Sequence, residues 1–295
     1  MTVASNTASS DVVSARRYRR VKTLDIVGRI ATIVTVIAAI FWAFPLYWGI
    51  ITSLKPEPDV VKAGFEIWPE HFTFDAYTYA LFGTNIGIWY INSLITSLAT
   101  TVIVVLMAAG AGYAISQLEF PGRRILWWMI LACFMVPIQA LIVNHFILFS
   151  QFHLINTLTA VVGPQLLAPV TVIIYKQFFD SVPKELREAS VVDGASHFQT
   201  LFRIYLPMNW GITTALAIIT FIGAWNNFLW PFLAVTEENK MNITVGITQV
   251  FDAFGVKYAR TLATAILAGL PVAVLYLIFQ RRVTQAIMLS AGIKG

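Results

Sequence analysis

Six long apolar stretches limit what this 295-residue chain can fold into. Each reaches the roughly 20 mostly apolar residues that a helix needs to cross a bilayer. They are also too long and too continuous for the roughly ten-residue alternating strands of a membrane barrel. The sequence therefore predicts an all-α polytopic membrane protein with six transmembrane helices, over about residues 27–51, 88–115, 125–149, 156–178, 209–235 and 262–280.

Composition agrees with a membrane protein. The chain is 58% hydrophobic and 12% charged, about half the roughly 25% of charged residues that soluble domains carry. Its single cysteine, Cys133, excludes an intrachain disulfide or a multi-cysteine metal site, and the four histidines show no metal-ligand spacing. The net charge of +5 is better explained by the position of the basic residues than by nucleic-acid binding.

The distribution of Lys and Arg predicts the orientation. Six of the 20 precede or open the first span, and nine more lie around the loops after spans 2 and 4 and in the C-terminal tail; five lie on the other side. Such a bias marks the cytoplasmic side. We therefore expect both termini in the cytoplasm, with residues 1–26 as a cytoplasmic N-terminal tail and 27–295 as one transmembrane domain. The loops 52–87 and 236–261 lie outside, the first as an ordered cap.

The segment 181–207 is the exception among the apolar runs. Its Lys184, Arg187, Asp193 and Arg203 would together cost on the order of 10–14 kcal/mol at the bilayer centre, whereas its apolar side chains return only about 2–5. We therefore expect it in water or against another protein.

Local signals within this segment predict two short helices with a joint. Pro183 suits a first helical turn, Gly194 a helix C-terminus, and Ser196 with Gln199 a capping box that restarts the helix. Pro207 ends the second helix or marks entry to the fifth span. From these signals alone, the pair is either a protruding knob or an amphipathic loop on the lipid surface.

The same residues carry a resemblance to a known family. Glu188-Ala189-Ser190, then Gly194, then Ile204-x-Leu206-Pro207 resembles the EAA signature of permease subunits of binding-protein-dependent ABC importers, with Ser190 where alanine is usual. Further stretches are similar to the carbohydrate-uptake branch, in particular to the smaller permease of the maltose importer. They are NSL at 92–94, FPGRR at 120–124, WNNFLWP at 225–231 and AGIKG at 291–295.

This resemblance implies a type I ABC importer permease fold in a bacterial inner membrane. It implies three kinds of partner: a second permease in a heterodimer, two copies of a cytoplasmic ATPase subunit that binds ATP and Mg, and a periplasmic or extracellular sugar-binding protein. The loop 236–261 would face the binding protein, and the C-terminal tail would touch the ATPases. The coupling residues would be Glu188, Ala189, Ser190, Asp193, Gly194, Ile204, Leu206 and Pro207.

Two sequence absences bear on the energy source. The chain has no G-x-x-x-x-G-K-[ST] phosphate loop, and the interiors of the predicted spans hold no Asp, Glu or Lys of the kind that ion-coupled carriers use. Both absences agree with transport that is driven by energy from a partner subunit. A stand-alone carrier or channel is the alternative, and a membrane-embedded enzyme, for which the spans offer no catalytic dyad, is a further one.

Polar side chains within the spans are candidates for a translocation path. Amides beside aromatic rings can bind sugar hydroxyls, but they also bridge helices in membranes. Many members of the resembled family have an acid at the position of Asn227. The candidates are Gln139, Asn144, Asn226, Asn227 and Trp230. The small residues of MAAGAGYA, at 107–114, predict close helix packing rather than a binding loop.

Overall fold

The computed structural model describes the backbone of residues 7–62, 67–250 and 257–290, and the side chains of residues 26–62, 67–250 and 257–281. Within these ranges all regular secondary structure is helical, as predicted. The AGIKG tail lies outside the described residues.

Three helices are long and apolar enough to cross a membrane without a break. Their apolar parts are Ile26–Ser53, Ile86–Gln117 and Tyr258–Arg281. They belong to α1 (Thr7–Ser53), α4 (Ile86–Gln117) and α15 (Tyr258–Ser290). Because α1 begins at Thr7, the described backbone of the predicted N-terminal tail is helical and continuous with the first span.

The predicted spans 125–149 and 156–178 are each broken. The first consists of α5 (Arg123–Met135), a 3₁₀ turn (Ile138–Leu141) and α6 (Ile142–Gln151), bent by 92°. The second consists of α7 (Leu158–Val162), a 3₁₀ turn (Gly163–Leu166) and α8 (Pro169–Asp180), bent by 48°. Pro137 and Pro169 stand at these breaks. Proline interrupts a helix because it lacks an N–H and pushes the residue before it out of the helical region.

The predicted span 209–235 is broken too. It comprises α12 (Trp210–Trp225) and α13 (Leu229–Ala234), with residues 226–228 between them. Before it, the helical stretch His197–Met208 meets α12 at an angle of 88°. By length and composition, the described chain has three uninterrupted spans, or up to six if each bent pair counts as one, the third pair being His197–Met208 with α12. The apolar pattern predicted helices in these stretches but none of their interruptions.

Helix α4 lies at the centre and packs most extensively against α8 and α12, while α1 packs chiefly on α15. Gly112 allows the approach of α4 to α8: a Cβ there would lie 2.8 Å from the Cβ of Tyr175 and 3.1 Å from the backbone nitrogen of Lys176. The close packing predicted from MAAGAGYA is confirmed at this glycine.

The loop 52–87, predicted to lie outside, is partly helical in its described part. It holds α2 (Glu57–Val60) and α3 (Asp75–Phe82), and α3 packs on α15 through the buried Ala76, which meets Ala259 and Ala263. The carboxylate of Glu57 accepts a hydrogen bond from the backbone N–H of Ala259, at 3.1 Å. The predicted cap is therefore fixed to the last span.

Candidate functional site

The segment 181–207 folds as two short helices joined by a glycine turn. Helix α9 (Lys184–Val192) begins directly after Pro183. Gly194 has a φ of +75°, a conformation that glycine adopts at little cost. The backbone N–H of Ala195 then donates to the carbonyl of Ser190 at 2.9 Å, which satisfies the end of the helix. The predicted role of Gly194 is confirmed, whereas Pro183 occupies the N-cap position before the first turn of the helix and does not lie in that turn.

A capping box opens the second helix, as predicted. The backbone N–H of Gln199 donates to the hydroxyl of Ser196 at 3.3 Å, and the N–H of Ser196 donates to the Gln199 side-chain oxygen at 2.8 Å. These two bonds satisfy two otherwise free N–H groups. The helix then continues through α10 (His197–Thr200), a π-turn (Leu201–Tyr205) and α11 (Leu206–Met208).

Pro207 does not end this helix, which continues one residue further to Met208. The wider π-turn lies just before the proline, where the N–H of Leu206 donates to the carbonyl of Leu201. Proline cannot donate to the carbonyl four residues earlier, and a π-turn is a local adjustment of the hydrogen-bond ladder. Asn209 follows, and α12 leaves in a new direction.

An aromatic cluster anchors the segment to the spans. The ring of Tyr205 meets the rings of Tyr113 on α4 and Phe179 on α8 edge to face, at centroid distances of 5.0 and 5.4 Å. Leu201 is buried in the same cluster. Such pairs add to the energy of burial. The second helix of the segment is therefore held rigidly against α4 and α8.

A polar contact joins the two short helices to each other. The buried Ser190 and Thr200 hydroxyls lie 3.1 Å apart, and the Ser190 hydroxyl also donates to the carbonyl of Arg187 at 2.7 Å. The departure from alanine at position 190 thus supplies a hydrogen bond inside the segment.

The predicted coupling residues fall into two groups. Ser190 is buried, and Ile204 and Leu206 are half-buried against the aromatic cluster, so these three support the segment. The remaining five are exposed: Glu188, Ala189, Asp193, Gly194 and Pro207.

The outer surface of the glycine turn carries large apolar side chains. Val192 is 86% exposed and Phe198 is 76% exposed, on either side of Gly194. Apolar side chains beside the charges of Glu188 and Asp193 are the kind of surface that a protein partner covers. We call Glu188, Val192, Asp193 and Phe198 the outer face of the segment.

The span amides lie at or near the helix breaks. Gln139 is in the 3₁₀ turn that follows Pro137, and Asn144 is in the first turn of α6; both are exposed. Asn226 and Asn227 lie between α12 and α13, with Asn226 exposed. Helices α6 and α13, each of which follows one of these breaks, contact each other.

Trp230, a predicted residue of the translocation path, is packed between helices. It is buried, and its indole N–H donates to the carbonyl of Ala160 at 2.7 Å. Its ring meets those of His145 and Phe149 edge to face, at 5.8 and 5.6 Å. With its ring packed and its one donor satisfied, Trp230 holds α13 to α6 and α7.

Sequence reasoning missed how the second outer loop is fixed. The Asn92 amide donates to the carbonyls of Asn239 and Met241, at 3.0 and 2.8 Å. The hydroxyl of Ser93 accepts the N–H of Ile243 at 2.7 Å. The motif NSL is notable in the sequence only for its resemblance to a family, which does not predict these contacts. Its Asn and Ser attach the described part of the loop to α4.

Asn156 supplies a second attachment for this loop. Its φ is +63°, which short polar side chains tolerate. Its side-chain oxygen accepts the N–H groups of Thr236 and Glu237, at 2.6 and 3.2 Å.

Over the described residues there is no group of three or more His, Cys, Asp or Glu side chains suited to hold a metal.

Several apolar helices, unbroken or bent, that are long enough to cross a bilayer define a multi-pass membrane protein. The chain belongs to the family described as "Binding-protein-dependent transport system inner membrane component", which matches residues 105–288. It is therefore a transporter permease subunit and not an enzyme, and a stand-alone carrier is not favoured.

Relatives of known name align with most of the length of this chain. It is 30% identical to the arabinooligosaccharides transport system permease protein AraQ of Bacillus subtilis, over 91% of this chain and 97% of the relative. It is 31% identical to the diacetylchitobiose uptake system permease protein NgcG of Streptomyces coelicolor, over 82% of each chain.

The fold matches a solved structure of a bacterial ABC transporter involved in the import of the acidic polysaccharide alginate. The TM-score is 0.78 at 19% sequence identity, over 88% of this chain and 97% of that one. The predicted ABC importer permease fold is confirmed.

Proposed function

We propose that this chain is the transmembrane subunit of an ATP-driven carbohydrate importer in a bacterial inner membrane. The names of its relatives, which include permeases of arabinooligosaccharide and diacetylchitobiose systems, support a carbohydrate as the cargo. In this proposal the chain crosses the membrane six times with both termini in the cytoplasm, as the distribution of basic residues favours.

The observation that carries the proposal is the outer face of the segment 181–207. An exposed valine and an exposed phenylalanine flank a glycine turn, next to two acidic side chains. The same segment is anchored to α4 and α8 by Tyr205. A partner that binds the outer face and moves would therefore displace the spans. This is the role of a coupling element.

The partner at this face is a cytoplasmic ATPase subunit, present in two copies, which holds the ATP and Mg that this chain does not need. A second permease completes the translocation pathway. One solved relative in fold, a bacterial alginate ABC transporter, is in complex with an alginate pentasaccharide-bound periplasmic protein. For this chain, the hydrogen-bonded outer loop that begins at residue 236 is the surface that meets such a binding protein.

The cargo passes the two neighbouring helix breaks. Gln139 and Asn144 on one side and Asn226 and Asn227 on the other offer amides that can bind hydroxyl groups. Transporters commonly bind their cargo where spanning helices are interrupted. In this proposal Trp230 does not bind the cargo but supports these residues by its packing between helices.

Substitution of the outer face tests the proposal. Glu188→Ala and Val192→Ser should reach the membrane at normal levels, because both side chains are exposed, but should lose co-purification with the ATPase subunit and carbohydrate uptake. Gln199→Ala is the matched control, since it removes one capping interaction of about 1 kcal/mol and leaves the outer face intact. Full uptake and a normal complex in both outer-face variants would refute coupling through this segment.

A further inference from the structure

A cationic pocket lies at the end of α4, α5 and α8 that carries the segment 181–207. It has a volume of about 590 Å³ and lies where the chain passes from α4 into α5. Its lining combines three basic side chains with aromatic and aliphatic ones: Arg123, Arg124, Lys176, Phe120, Trp127 and Ile125. None of these residues belongs to the outer face or to the translocation path.

Two of the three cations are held in place by the fold. Arg123 donates to the carbonyls of Leu118 and Ser116, at 3.0 and 3.3 Å, which satisfies the last turn of α4. The ammonium of Lys176 lies over the ring of Trp127, 4.9 Å from its centroid, and pairs with Asp180. The pocket is thus preformed and positively charged.

Arg124 is exposed and forms no hydrogen bond or ion pair with another residue of the described chain. The nearest acids in sequence to the cations, Glu119 and Asp180, do not line the pocket, and Asp180 offsets one of the three positive charges. At least one cation therefore has no internal counter-charge. A guanidinium in this position favours an anion with several oxygens, such as a phosphate.

The surface beside the pocket is that of a membrane-facing helix. Along α5, Ile125, Trp128 and Met129 are 67%, 61% and 57% exposed. An anionic headgroup in the pocket would leave its acyl chains against this apolar face. A soluble phosphate or an acidic peptide has no acyl chains to cover this apolar face.

We propose that this pocket binds the phosphate of an anionic phospholipid. Arg124 supplies the free charge, Arg123 and Lys176 shape the site, and α5 receives the acyl chains. Basic pockets between spanning helices at the membrane surface are suited to such headgroups. The lipid would bind α4, α5 and α8 together at the base of the segment 181–207.

Native mass spectrometry of the full chain, purified with the subunits that accompany it, tests the site. The complex is titrated with phosphatidylglycerol or with phosphatidylethanolamine, and the retained lipids are counted. We expect saturable retention of phosphatidylglycerol over phosphatidylethanolamine. In Arg124→Gln its apparent Kd should be about fivefold weaker, as expected for one basic residue near an anionic membrane surface. Because Arg124 is exposed and forms no hydrogen bond or ion pair within the described chain, this variant should fold normally.

Arg281→Gln is the matched control, since Arg281 is also exposed, at the end of the apolar part of α15, but does not line the pocket; it should retain phosphatidylglycerol as the wild type does. Equal retention by Arg124→Gln and the wild type would overturn the proposal. Displacement of phosphatidylglycerol by excess inorganic phosphate would show a site for free phosphate instead of a lipid. Retention by the isolated chain but not by the assembled complex would show that a protein subunit covers the pocket, and would also overturn it.

Discussion

The hydroxyl oxygens of Ser190 and Thr200 lie 3.1 Å apart across the Gly194 turn, in a buried contact between α9 and α10. The Ser190 hydroxyl donates to Arg187 and can accept from Thr200, so both groups are satisfied. The relative position of the two short helices therefore depends on a side-chain contact as well as on the turn.

The size of residue 190 should matter more than its hydroxyl. Ser190→Ala removes two hydrogen bonds, to Arg187 and to Thr200, each worth about 1 kcal/mol, and the Thr200 hydroxyl can still donate to the carbonyl of Ser196. We expect near-normal uptake from this variant. Ser190→Leu must enter a packed site at a cost of about 1–3 kcal/mol and should lose most uptake. Uptake and thermal unfolding, measured side by side, check both. Equal uptake by the two variants would contradict the prediction that the size of residue 190 matters.

The backbone at Gly194 should tolerate asparagine better than valine. A Cβ at this glycine would meet nothing within 4 Å, so the effect of a substitution is backbone strain alone. A left-handed conformation costs an ordinary L-residue about 1–2 kcal/mol, and more if it is β-branched. Gly194→Val should insert into the membrane but lose uptake and ATPase co-purification.

Gly194→Asn is its control, because asparagine visits the left-handed region readily. It should retain most of the uptake. Identical losses in the two variants would show that bulk at the turn matters rather than its conformation.

Two glycines of α4 should respond in opposite directions to alanine. At Gly112 the added Cβ would meet the backbone of α8, whereas at Gly110 nothing lies within 4 Å. Gly110→Ala should raise stability by about 0.5–1 kcal/mol, the usual gain in a helix interior. Gly112→Ala should lower it by about 1–3 kcal/mol. The midpoint of thermal unfolding of the purified permease decides between them, and a shift of the same sign in both would contradict the packing.

The orientation should follow from cysteine labelling. The native Cys133 is exposed, so it is first replaced by alanine. A cysteine at Asn239 should then react with an impermeant thiol reagent from outside sealed cells, whereas one at Glu185 should react only after permeabilisation. Both positions are exposed in the structure, so access alone is measured. Labelling of Glu185→Cys in sealed cells would invert the proposed topology.

Features set by a few neighbouring residues were predicted from the sequence. Gly194 and the Ser196–Gln199 capping box follow local backbone rules, and the structure has both. The long apolar runs gave the helical class. The breaks escaped prediction because an apolar run looks the same with or without a kink, even though Pro137 and Pro169 stood at the right places. Their effect depends on whether neighbouring helices satisfy the freed backbone groups.

Features that depend on distant contacts were not predictable. A tryptophan in a span has the same sequence pattern whatever it packs against, and the bond from Trp230 to Ala160 is evident only in the structure. Likewise, Asn92 and Ser93 attach α4 to residues almost 150 positions later. No local pattern predicts such a pairing.

The position of Tyr205 determines which helices the segment 181–207 contacts through its rings. Its ring lies between those of Tyr113 on α4 and Phe179 on α8, whereas the chain turns at Asn209 before α12 begins. A force applied to the segment therefore reaches α4 and α8 laterally, through aromatic contacts, and not only along the polypeptide into α12.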